Sequence, residues 1–221
     1  MASTFGDLKF RDLVGRLVVV EYPLLDRLGD SGLVIPAGAD SVLAYPYIDH
    51  QCGLTLFSLA PASLACGEIY HDASFPVVQR APLLLRSGGV ASEARAVFPD
   101  DEESLAERYA EQITYVERGY DPGPGVVATR AIERVDSLRN REFPDDVFVL
   151  LSSEGLQTEG VWFRLEGLAG DDMLAGALLN EPDDNYPVHV GDLMALGLVV
   201  SRDGSTVLAT VPDLIIPPVE G

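Results

Sequence analysis

The chain is poor in cations and in reactive side chains. Lys9 is its only lysine, and it has three His, two Cys and one Trp. With 15 Lys plus Arg against 35 Asp plus Glu, the formal net charge is −20. A field of that sign repels nucleic acid phosphates and anionic membrane surfaces and attracts basic proteins. Arginines interleaved with aromatics along a strand face, the pattern of a nucleic-acid reader, are missing as well. The charge therefore argues for no nucleic acid and no membrane as partner, and for a basic protein.

Long hydrophobic runs are also missing. The best stretch, Leu54 to Cys66, holds Pro61 and falls short of the ~20 residues a membrane-crossing helix needs. The opening residues MASTFGDLKFRDLVG carry no charged segment followed by an apolar one, so no secretory leader is expected. The expected location is the cytoplasm, which favours Cys52 and Cys66 as thiols over a disulfide between them, the bridge staying an alternative.

Catalytic motifs are scarce. There is no G-x-S-x-G elbow and no D-x-[DN]-x-[DN]-G calcium loop. His50, Cys52, Cys66 and His71 together make the ligand set of a tetrahedral zinc site, but neither the Cys pair nor the His pair has the close spacing of a zinc knuckle. The carboxylate groups Asp100–Glu103, Asp145-Asp146, Asp171-Asp172 and Asp183-Asp184 also fit ordinary helix starts and turns. The balance leans away from an enzyme, and no cofactor is expected. The alternative is a small metal- or ligand-binding protein, or an enzyme, using a pocket between two subdomains.

What is present is a folding composition: 221 residues, 47% hydrophobic, enough for one large domain or two small ones. RLVVVEY (Arg16–Tyr22) reads as a strand, followed by SVLAYPY, GLTLFSL, ASFPVV and APLLLRSGG, each beside Gly, Pro or Asp. From Pro99 the pattern becomes helical. Asp100 can cap, with Glu103 completing a capping box, and Leu105, Tyr109, Ile113 and Val116 share one face until Gly119 and DPGPG stop the helix. A second helix is expected over Arg130–Arg141, with Ile132, Val135 and Leu138 inward. DVFVLLS, GVWFRLEGL, DMLAGALLN, DLMALGLVVS and STVLATV then read as five strands, with RDGS as a hairpin signal. The expected class is α+β: a β-rich N-terminal subdomain over residues 1–98, then residues 99–221 as a helical segment with an antiparallel meander sheet on which one or two helices pack. Gly119–Gly125 is the expected linker or loop.

One stretch has further organisation. Glu159 and Trp162 lie on one strand, Gly176 on the next, then come Asn180-x-Pro182 and Gly191-Asp192 before another apolar run. The order E-x-x-W, G-x-L-x-N-x-P, G-D resembles a bacterial family of unknown function related to the YegJ-like proteins, over about residues 143–213. The family's closing Asp-Trp pair is replaced here by Val211-Pro-Asp213-Leu. Such modules also occur among immunity proteins of toxin systems, so the resemblance implies an immunity-like binding protein and supplies no catalytic residues. By residue chemistry alone the stretch is a strand–loop–strand connection. Asn180 suits a turn and can bond its own backbone, Pro182 ends a strand, Gly191 permits positive φ, Asp192 can bond turn amides, and Trp162 is expected to plug the sheet core. Partner contacts are expected at Asp171, Asp172, Asp183, Asp184 and Asn185, because loops carry function.

Overall fold

The structure is a computed structural model. It describes residues 3–23, 25, 35–73, 84–170, 173–200 and 204–215, the last four as backbone only. The class is α+β, in two compact units, Met1–Asp121 and Pro122–Gly221. Among the described residues no helix is long and apolar enough to cross a membrane.

The first unit is built on a seven-stranded sheet in the order β1-β7-β2-β3-β4-β5, with β6 also paired to β4. These strands are β1 (Ser3–Thr4), β2 (Val18–Glu21), β3 (Ser41–Asp49), β4 (Gly53–Ser63), β5 (Glu68–Ile69), β6 (Leu84–Arg86) and β7 (Arg95–Val97). β3 and β4 form its spine, a hairpin paired along its whole length. Its turn is set by Asp49, whose Oδ1 accepts from the Gln51 and Cys52 amides at 3.0 Å each, and by Gly53 at φ +82°. Every residue of β4 is buried, because both faces of the sheet are covered. On one face Val18, Val20, Val42, Ala44 and Leu56 pack with Phe5, Leu13 and Val90. On the other, Val19, Leu43, Tyr45 and Phe57 meet Leu105, Tyr109 and Val116 from the helices. The free edge of β4 is shared by the short β5 and β6, a length that offers little template to another chain. The expected strand ASFPVV lies almost wholly outside the described residues.

After the short α1 (Phe10–Leu13), the helical segment is two helices, α2 (Glu102–Arg108) and α3 (Ala110–Gly119), where one was expected. The break falls at Tyr109, at φ −104° and ψ 20°. There the ring is buried and the hydroxyl meets His71 Nδ1 at 3.0 Å. No capping box forms at Asp100. Asp101 is the N-cap without a side-chain bond, and Glu102 reaches across to accept from the Leu17 amide at 2.9 Å and Arg16 at 3.2 Å. Tyr45 donates to Glu117 Oε1 at 2.9 Å and fastens α3 to β3. These contacts move the domain boundary. The division expected at 98/99 is replaced by one at 121/122, because the apolar stripe of the helices is used up on the N-terminal sheet.

The second unit opens with α4 (Pro124–Arg130), started by Gly123 at φ +84° and Pro124 in the first turn, and a 3-10 turn over Glu133–Leu138. The longer helix expected over Arg130–Arg141 does not form. The strands are β8 (Asp146–Leu151), β9 (Glu159–Leu168), β10 (Met173–Leu178), β11 (Leu193–Val200) and β12 (Thr206–Ile215). The expected antiparallel meander is present and is closed into a barrel. Neighbours in sequence pair antiparallel, while β12 returns to β8 in parallel through Leu208↔Val149 and Ala209↔Leu150. The parallel seam follows from counting. In an up-and-down run of five strands the first and last point the same way. Strand alternation fills the interior with Val147, Val149, Val161, Phe163, Leu165, Leu174, Leu196 and Leu208, all buried. The residues of the expected RDGS hairpin up to Asp203 lie outside the described residues.

Candidate functional site

The four residues expected as a zinc set are not brought together. His50 and Cys52 belong to the β3–β4 turn, and Cys66 follows the far end of β4. A strand of that length holds the two ends roughly 30 Å apart at ~3.3 Å per residue. Both thiols are exposed, and a disulfide needs Cα atoms within about 7 Å. His71 is bonded to Tyr109. Among the described residues no three His, Cys, Asp or Glu side chains are grouped to hold a metal ion. A shallow concavity of about 620 Å³ runs along α3, lined by Ala110, Glu111, Thr114, Tyr115, Arg118 and Gly119. One helix supplies that whole lining, so no set of polar groups converges on it from different elements.

The resemblance motif, by contrast, folds into one place, the mouth of the barrel. The loop from Leu179 to Asp192 turns Tyr186 and Val188 inward and leaves Val190 exposed. Tyr186 and Val188 are buried in the barrel core. The Tyr186 hydroxyl donates to the Leu151 carbonyl at 3.1 Å and also to that of Gln157, joining the loop to the end of β8 and the β8–β9 connection. With that anchor set, Asp183, Asp184 and Asn185 are left pointing to solvent.

Glu159, Asn180, Gly191 and Asp192 fix the loop. The Glu159 carboxylate accepts from the Asp183 amide through both oxygens, at 2.8 and 3.0 Å, and from the Asp184 amide at 3.4 Å. Asn180 Oδ1 accepts from the Trp162 amide at 2.8 Å, a bond to the neighbouring strand, while its Nδ2 donates to the adjacent Glu181 carbonyl at 3.4 Å. The Leu179 amide donates to the Trp162 carbonyl at 2.9 Å. Glu181 accepts from the Val190 amide at 3.1 Å and lies 3.3 Å from His189 Nδ1. Those two bonds hold its carboxyl below the usual range. Asp192 accepts from the His189 amide at 2.8 Å, and Gly191 has φ +93°. Gly176 faces the barrel interior, where an added Cβ would sit 2.8 Å from Leu196 Cδ1 and 3.2 Å from the Arg164 carbonyl. Pro182 sits in the loop between Glu181 and Asp183. Asp171 and Asp172 lie outside the described residues.

Trp162 is not in the core. β9 alternates inward Val161, Phe163 and Leu165 with outward Trp162, Arg164 and Glu166, so parity puts the indole outside. There it meets Phe148 of β8 edge to face, with ring centroids 5.5 Å apart. Phe148 is 45% exposed and Trp162 36%. The Phe148 ring lies on Gly160, where any Cβ would come 2.1 Å from its tip, so a side chain at 160 would displace it. Beside this pair Arg164 makes a two-bond ion pair with Asp146, at 2.7 and 3.0 Å. Phe148 and Tyr186 were not singled out by sequence reasoning. Their signal was there in the strand alternation of DVFVLL and in Tyr-x-Val within an otherwise polar loop.

Chemically, this mouth presents acidic groups and an apolar ring pair. A search with this chain finds no matching family model, curated protein or solved structure.

Proposed function

We propose that the protein is a non-enzymatic acidic binding protein, immunity-like, whose target is a basic protein. The observation that carries the reading is the loop at the barrel mouth. Asp183, Asp184 and Asn185 are exposed on a backbone held by Glu159, Asn180 and Tyr186. A fixed loop loses little conformational freedom on binding, so more of its interaction energy is kept. The net charge of −20 supplies long-range attraction, which raises association rates toward a cationic partner. The resemblance of residues 143–213 to a family with immunity-type members points the same way.

The test is affinity capture from host lysate at low and high salt, run in parallel with Asp183→Asn/Asp184→Asn. A basic protein retained at low salt, released at high salt and retained less by the variant supports the reading. Retention that ignores both salt and the substitutions ends the steering idea.

A further inference from the structure

We propose that the Phe148–Trp162 pair is the seat for an arginine side chain of the basic partner, with Asp183 and Asp184 as its counter-charges. The inference rests on the binding-protein reading above and names the chemistry of the contact.

Three observations carry it. The first is the aromatic pair itself. Large apolar rings exposed side by side on a strand face mark an interaction surface more often than a lone exposed side chain does, and tryptophan is the residue type most enriched among interface hot spots. The second is that the place is built. Gly160 leaves the Phe148 ring free to lie on the strand, and Phe148 in turn stands edge to face against the indole. The pair therefore keeps its position without a partner. The third is charge. The Trp162 amide is bonded by Asn180, and the acidic loop starts from that residue. Among the described residues no hydrogen bond or ion pair engages the carboxylates of Asp183 and Asp184; their backbone amides donate to Glu159, and the Asp184 carbonyl accepts from the Tyr186 amide.

A second copy is the less favoured occupant, since two chains of net charge −20 repel each other. The three observations favour arginine over lysine. A guanidinium stacks flat on an indole and still donates to carboxylates from its rim, whereas an ammonium is a compact and strongly hydrated charge. The neighbouring Arg164 cannot serve as an internal occupant, because Asp146 holds its guanidinium through two bonds.

Trp162 is the only tryptophan, so the full-length chain reports on its own site by fluorescence. The probes are two peptides of equal length, an Arg-Gly repeat and a Lys-Gly repeat, titrated at physiological salt. The expected result is that the Arg peptide alters Trp162 emission and binds about five-fold or more tighter than the Lys peptide. In calorimetry Trp162→Leu should lose that preference, and Trp162→Tyr should keep most of it. The fold of each variant is checked by its melting curve. Equal binding of both peptides with unchanged emission, or full Arg preference in Trp162→Leu, overturns the arginine seat but leaves the acidic binding protein standing if lysate capture remains salt-sensitive. Absence of binding by either peptide overturns the seat, and failure of the capture as well would remove the reading it rests on.

Discussion

Arg130 and Asp145 face each other through two parallel hydrogen bonds, Nε to Oδ1 at 2.8 Å and a terminal guanidinium nitrogen to Oδ2 at 2.6 Å. The Asp145 side chain is only 2% exposed. Arg139, equally buried, adds donations to the carbonyls of Thr129 and Pro144 at 2.6 Å each. Together the two arginines tie α4 and the chain after it to the start of β8.

Removing one member of that pair leaves the other charge buried. Asp145→Ala should lower the stability of the second unit by about 3 kcal/mol, since a stranded buried ion costs far more than the pair returns. Urea unfolding followed by barrel fluorescence measures it. A loss near zero would mean that solvent reaches Arg130 once the carboxylate is gone.

Tyr186 anchors the mouth loop by its ring and by its hydroxyl. Tyr186→Phe keeps the ring and strips two carbonyls, of Leu151 and Gln157, of their donor. The expected cost is about 1–2 kcal/mol. Hydrogen exchange should speed up at the Asp183 and Val190 amides while the interior strands stay protected. Unchanged exchange in the loop would show that the ring alone holds it.

Gly176 is a packing position. Gly176→Ala would place a methyl 2.8 Å from Leu196 Cδ1 and 3.3 Å from Phe163 Cβ. We expect about 1–3 kcal/mol of destabilisation, read as a lower melting temperature and a smaller urea midpoint.

His71 carries a pH dependence. Burial first, then the charge of Arg108, hold its pKa below the usual 6.5, against opposition from Asp101 and Asp72. The unfolded chain therefore takes this proton more readily than the folded one. Stability from this group is full above about pH 6.5 and falls as the pH drops through the interval down to the folded value. Between about pH 7 and about pH 5, wild type should lose more melting temperature than His71→Gln. Parallel curves would show that the Tyr109 contact does not depend on the proton.

The sequence was most legible where one periodicity acted alone. β2, β3 and β4 were marked by Val-rich and alternating runs, and α2 and α3 by the 105, 109, 113, 116 spacing. What it could not show was which surface each stripe would meet. The stripe of α2 and α3 is equally suited to either sheet, and only the fold assigns Leu105, Tyr109 and Val116 to the first. Barrel closure was hidden for a related reason. An open meander and a closed one share the same alternation, and the two residue pairs that close it join strands far apart in the chain. Trp162 was misjudged because tryptophan's size suggests a core, while its strand parity, set by Val161 and Phe163 on either side, says outside. The site motif was legible as a pattern, but its meaning was architectural. Glu159, Asn180 and Asp192 spend their polar atoms on backbone amides.

The parallel seam of the barrel bears on how the chain must assemble. Val149 and Leu208 are neighbours in space but stand at opposite ends of the second unit's strand sequence, so the ring cannot shut until the last strand is in hand. During synthesis β8 to β11 would wait as an open, twisted ribbon with unpaired backbone on both margins. Closing so distant a contact carries the loop entropy that slows such topologies. The final strand is thus a latch, and the barrel interior stays open on one side until it arrives.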